Sequence, residues 1–210
     1  TASGVTRLSA AGVFLVNVRK EHFKDKRVLQ AMQYAMDRQA LSDAFYGGRA
    51  VLVNSPLHVG AIAERADLKP LRYSYDPEKA AQLLTDAGWD SSYVVPMIVY
   101  TRQMSRRPEM FAVIAQYLEA VGMKTEYEVL DDPWARFRSW NTDDPGAGEV
   151  MMSAIPMGPD PDGHLMLFMH STSWNGSGYA NPVLDAKIEA ARGVMTDAER
   201  LSLYQDIALE

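Results

Sequence analysis

The chain has 210 residues, 47% of them hydrophobic and 23% charged, the composition of an ordinary globular domain rather than of a disordered one. Its 21 basic and 27 acidic side chains leave a net charge of −6, and no long basic run could neutralise a row of phosphates, so nucleic acid is not an expected partner. Cysteine is absent, which removes disulfides, thiolate nucleophiles and Cys-based metal sites together, and no apolar run approaches the roughly 20 residues that span a bilayer.

In chain order, Val13 to Val18 is a short apolar run suited to a buried strand. It leads into FKDKRVLQAMQYAMDRQALSDAFYGG, where Asp25 stands as an N-cap and Val28, Met32, Ala35, Met36, Leu41 and Phe45 keep one apolar stripe. This periodicity predicts a single helix of roughly five turns of about 3.6 residues, closed by Gly47 and Gly48. Residues 49–75, with Pro56, Gly60 and Pro70, read as an irregular connection. Asp76, Pro77, the Leu83/Leu84/Ala87 stripe and Gly88 then mark a second helix, and PMIVYT a strand that Pro96 can only begin, since proline has no N–H to give a ladder. A helix from Pro108 to Gly122 follows. In MKTEYEVL, Met123, Thr125, Tyr127 and Val129 alternate with Lys124, Glu126 and Glu128, which predicts a strand with one buried face.

Further on, DDPWARFRSW reads as a short helix, EVMMSAI as a strand, and PMGPDPDG as a loop. Leu165 to His170 and Pro182 to Met195, the latter capped by Asn181, read as helical. Strand, helix, helix, strand, helix, strand is the order of an α/β sheet flanked by helices. The chain opens on Thr1, and TDAERLSLYQDIALE starts with a capping box of Thr196 and Glu199 but reaches Glu210 without a C-cap. The expectation is one unit, residues 1–210, of a longer protein, cut at both ends.

Phosphate-loop, dinucleotide, nucleophile-elbow and H-E-x-x-H signatures are all missing. Asp160, Asp162 and His164 in DPDGH could hold a divalent metal, although Asp-Pro-Asp-Gly is also ordinary turn chemistry and the calcium-loop spacing is not met. Trp134, Trp140 and Trp174, with Tyr179, could line a pocket, but Trp134 and Trp140 lie in a helical pattern that core packing explains at least as well. Trp174 and Tyr179 lie in STSWNGSGYAN, where no stripe explains them, and so are candidates to face a ligand.

Four blocks in order resemble the large extracellular solute-binding proteins of peptide-type ABC importers (family 5): FLVNVRKEHFKDKRVLQAMQYAMDRQAL, YSYDPEKAAQLLTDAGW, GPDPDGHLMLFMHSTSWNGSGYANPVLDAKIEAA and DAERLSLYQDI. The first carries the strand, the Asn-containing loop, the F-x-D-x-R-V-x-x-A helix and an A-x-D-R turn at Ala35 to Arg38. The resemblance implies an α/β lobe with a mixed sheet, one of two lobes that close on a small solute and present it to a membrane permease. It also implies no catalysis, no cofactor, and a periplasmic or cell-envelope location, with the first lobe missing from this chain.

By the same resemblance Thr101, Arg102 and Gln103, after the PMIVY strand, match a region that faces the ligand, where Arg102 could hold a carboxylate or stand as a plain surface cation. Peptide binders of the family read G-W-x-x-D ahead of the D-P-D turn, and that Asp receives the ligand's ammonium. Here SAIPMGPDPD puts Ala154 at the Trp and Met157 at the Asp. The implied wall is residues 153–158, with Ile155 and Met157, together with Asp160, Trp174 and Tyr179. Met157 points to a solute without a free peptide N-terminus: a sugar, an opine-like conjugate or a blocked peptide. Two other readings stand beside this one, a metal-assisted hydrolase on Asp160, Asp162 and His164, and a plain protein-interaction domain.

Overall fold

The computed structural model describes residues 9–50, 52, 73–100, 108–141, 145–157, 160–174, 176–194 and 196–207. Its strands are β1 (Ser9–Val16), β2 (Val94–Tyr100), β3 (Lys124–Leu130) and β4 (Val150–Met157). Its helices are α1 (Lys26–Tyr34), α2 (Arg38–Tyr46), α3 (Pro77–Asp86), α4 (Pro108–Ala120), α5 (Trp134–Arg138), α6 (Asp162–His164), α7 (Pro182–Gly193) and α8 (Asp197–Ile207), with a π-helical turn, Leu165–Met169, continuing α6.

The sheet is mixed, in the order β1-β4-β2-β3. β1 runs antiparallel to β4, from Ser9 opposite Met157 to Val16 opposite Val150, and β2 runs parallel to both β3 and β4. Successive side chains of a strand point to opposite faces, so β1, β2 and β4 each feed two cores. Val95, Met97, Val99, Val150 and Met152 pack on one face against Val28 and Met32 of α1, Leu84 of α3, and Phe111, Ile114 and Leu118 of α4. Ile98 and Met151 pack on the other face against Phe137, Trp140 and Ala147. A separate cluster of Leu165, Leu184, Ile188, Ala191, Tyr204 and Ile207 joins the π-turn to α7 and α8.

Three expectations change. The stretch from residue 23 to 48 forms two helices. Asp37 leaves the helical region and its Oδ1 accepts from Ala40 N–H at 2.9 Å, capping a new helix, so the apolar stripe runs unbroken across a broken backbone. Ala35 to Arg38 is thus the turn that the resemblance implied. The alternating face of β3 is not buried, for Tyr127 is 40% and Val129 46% exposed. β3 is an edge strand, and alternation marks a face without fixing how deeply it lies. Pro96 is the third residue of β2 rather than its first. Its carbonyl accepts from Glu149 N–H at 2.8 Å, and because a strand residue's N–H and C=O point the same way, its missing donor faces the turn before β4, ahead of the first β2–β4 pair, Met97 with Val150.

Glu149 closes this edge of the sheet. Only 6% exposed, it accepts from Tyr93 O–H at 2.8 Å, has His22 Nε2 at 2.7 Å, and has Lys20 Nζ at 3.6 Å. Burial, and then the bond to Glu149, raise the Tyr93 phenol above its ordinary pKa. Removing the carboxylate strands these donors, so Glu149→Ala is expected to lower the unfolding free energy by about 3 kcal/mol, and Glu149→Gln, which keeps an acceptor, by less. Urea denaturation of the three proteins measures the order.

At the head of α1, the hydrogen bonds from the Arg27 side chain and then from its backbone N–H hold the Asp25 carboxyl down at about 2, from 3.8. A depressed pKa contributes stability that is complete above the unfolded value and is lost as pH falls through the folded one. Thermal melts of native protein and Asp25→Asn should therefore differ above pH 4 and converge as pH drops through about 2. A difference that persisted unchanged at lower pH would contradict this assignment.

Candidate functional site

β2, β3 and β4 run parallel, so their C-terminal ends share one edge of the sheet, the edge at which open α/β sheets take their ligands. β4 is paired with β2 as far as Val99 opposite Met152, then continues along β1 alone, with Ile155 opposite Ala11 and Met157 opposite Ser9. Ile155 and Met157 thus lie on backbone that projects past the paired part of β2. Thr101, Arg102 and Gln103 follow β2 directly in sequence and lie outside the described residues.

The second face of the sheet carries a connected set of rings toward this edge. Tyr100, the last residue of β2, meets Trp134 at 5.7 Å between centroids, and Trp134 meets Trp174 at 5.3 Å. Trp174 also contacts Phe137 at 5.1 Å and Phe168 at 5.9 Å. Trp134 and Trp174 are half-buried, while Phe137 and Trp140 beneath them are 1% and 2% exposed. Trp134 therefore belongs to the candidate wall, one of the two roles that its sequence pattern leaves open. Its position as first residue of α5, just past the C-terminal end of β3, was the available signal.

Tyr179 is placed elsewhere. It is 40% exposed, its hydroxyl accepts from Asn181 Nδ2 at 3.2 Å, and the segment leading to it is tied by Ser177 C=O to Val18 N–H at 2.9 Å. Val18 lies past the C-terminal end of β1, beside the start of β4, whereas Ile155 lies toward the opposite end. The Tyr179 segment is thus tied toward the end of the sheet at which β4 starts.

Asp160 is already engaged. Its Oδ2 accepts from Arg200 Nη2 at 2.9 Å, and its Oδ1 accepts from Tyr204 O–H at 3.3 Å and Asp162 N–H at 2.9 Å. Burial pushes the Tyr204 phenol above its ordinary pKa. Asp162 Oδ1 stands 3.0 Å from Arg192 Nε, close enough for an ion pair though not aligned as a hydrogen bond. The His164 ring lies 5.3 Å from that of Phe168. The DPDGH run thus turns its two carboxylates toward arginines of α7 and α8. Among the described residues no group of three His, Asp or Glu side chains is gathered so as to hold a metal ion. No helix among them is long and apolar enough to cross a membrane.

Known proteins with the same pattern agree with this architecture. Residues 6–176 match the family described as bacterial extracellular solute-binding proteins, family 5 Middle. Heme-binding protein A of Haemophilus influenzae is 29% identical over 204 residues, a match covering 90% of this chain and 35% of that protein. The glutathione-binding protein GsiB of Pectobacterium atrosepticum is 26% identical over 201 residues, 91% of this chain and 38% of that one. The crystal structure of the ABC transporter substrate-binding protein CtaP of Listeria monocytogenes superimposes with a TM-score of 0.74 at 25% identity, covering 96% of this chain and 42% of that one. The chain thus spans well under half the length of these relatives. With a family match over most of its residues and this fold, the chain belongs to the bacterial extracellular solute-binding proteins of family 5.

Proposed function

We propose that this chain is one lobe of the solute-binding component of an ABC importer, a non-catalytic protein of the periplasm or cell envelope. It takes a small solute at the C-terminal edge of its sheet, encloses it with a second lobe, and delivers it to a membrane permease. The observation that carries the reading is the coincidence, at one edge, of the projecting end of β4, the end of β2 and the half-buried pair Trp134 and Trp174. The wall would comprise Ile155, Met157, the Thr101–Gln103 loop with Arg102, and these two rings. Tyr179 is not part of it. The relatives' names specify heme in one case and glutathione in another, so family membership leaves the solute open.

Met157 narrows the class. An ammonium buried without a carboxylate forfeits a charge-assisted hydrogen bond of about 1.5–3 kcal/mol, roughly a factor of ten to over a hundred in affinity. Asp160 and Asp162, the nearest substitutes in sequence, are occupied by Arg200 and Arg192. The solute therefore presents no free peptide N-terminus to this lobe, and a sugar, an opine-like conjugate or a blocked peptide fits better. The intact protein, titrated calorimetrically with a mixed dipeptide library and with the same library N-acetylated, should show no preference for the free amines. Selective tight binding of the free-amine set would overturn the assignment and identify Asp160 or Asp162 as the anchor.

A further inference from the structure

After Trp174 the backbone at Gly176 and Gly178 has contacts on two flanks. On one flank it is fitted to the aromatic set: a Cβ on Gly176 would lie 2.5 Å from the Phe137 ring, so only glycine lets the backbone come so close. On the other flank Arg19 Nη1 donates to Gly176 C=O at 2.6 Å, and a Cβ on Gly178 would lie 2.6 Å from the Arg19 guanidinium carbon. Arg19 is itself placed by Asn17, which is 1% exposed: Arg19 N–H donates to Asn17 Oδ1 at 3.3 Å, and Asn17 Nδ2 donates to Trp140 C=O at 3.1 Å. Asn17 N–H in turn donates to Glu149 C=O at 2.8 Å. A chain of short contacts thus runs from the buried Glu149 network through Asn17 and Arg19 to the backbone two residues after Trp174.

We propose that Arg19 is a positioning residue for solute binding, which holds Gly176 against Phe137 and, through the bond from Gly176 N–H to Trp174 C=O at 3.0 Å, fixes the Trp174 ring in the wall. Arg19 touches no solute; it acts through Gly176. The inference rests on the reading of Trp174 as part of the wall, and the two can be tested apart. In 5-fluorotryptophan-labelled intact protein, with the Trp174 resonance assigned by Trp174→Phe, Arg19→Ala should shift or broaden that resonance and leave the Trp89 resonance in place. Arg19→Lys, which keeps a donor of similar reach, should restore much of the native position. An unmoved Trp174 resonance in Arg19→Ala, or equal movement of Trp89, overturns the proposal without any solute being needed.

The binding arm uses the tightest member of the N-acetylated dipeptide library. Trp174→Ala and Arg19→Ala should each weaken it by about fivefold to tenfold, the scale of one aromatic contact, and the double variant by no more than Trp174→Ala alone. Additive losses would sink the proposal and leave the wall intact. Unchanged affinity in Trp174→Ala would instead remove Trp174 from the wall, and the inference with it.

Discussion

A buried carboxylate is stable only when charge and hydrogen-bond partners replace the water it has lost, and the arrangement of this fold follows from how Glu149 meets that demand. Its side chain draws Lys20 and His22 from the connection after β1 and Tyr93 from the turn before β2. Its backbone extends the ladder on both sides, donating to Pro96 and accepting from Asn17. Gly148 delivers it there at a φ of 73°, with Ile98 so close that a Cβ would lie 2.7 Å from its side chain. The end of β1, the start of β2 and the start of β4 are therefore tied at a single point. β2 and β4 end at the opposite edge, and the proposed solute wall lies there.

The two faces of the sheet are built from different materials. On the helix-covered face, Met32, Met97, Met110 and Met152 take part in the core, and flexible thioethers fill irregular space without fixing any one neighbour sharply. On the other face the contacts are between rings, with Phe137 and Trp140 4.9 Å apart and the Trp140 Nε1–H satisfied by Ala147 C=O at 2.8 Å. Aromatic packing is angular and offers few alternatives. A displacement of one ring is therefore passed to the next, which suits the face that carries Trp134 and Trp174 toward the proposed solute edge.

Much of this was legible in the residues, and what was not has identifiable causes. Caps spoke clearly: Asp25, Asp76 and Asn181 all accept from backbone N–H groups of the helices they precede, and Gly47 adopts the left-handed conformation at the end of α2. The break at Asp37 was hidden because apolar periodicity tracks the face of a helix and is indifferent to a turn that preserves that face. Depth was hidden at β3, since whether Tyr127 lies under a neighbour depends on sheet order, a property of no single segment. Glu149 was invisible for a related reason. A lone acid in GAGEV carries no pattern, and its partners Lys20, His22 and Tyr93 are remote in sequence. Trp174 could be flagged for lacking a stripe, but its neighbours in α5 and the pull of Arg19 on its loop emerge only in three dimensions.

In the proposed reading, charge has little part in how this edge discriminates among solutes. Two acids near the end of β4 would be expected to make it an attractor for cations. Arg200 and Arg192 stand within 2.9 Å and 3.0 Å of Asp160 and Asp162, so those charges are largely compensated before any solute arrives. Both pairs are partly exposed, where solvent screening leaves an ion pair little net effect on stability. They tie Asp160 and Asp162 to α8 and α7 while compensating their charge. In the proposed reading, which sets Met157 where peptide binders carry a carboxylate, the described part of the wall offers ring area and backbone rather than charge, so selection there would fall to shape, stacking and hydrogen bonding.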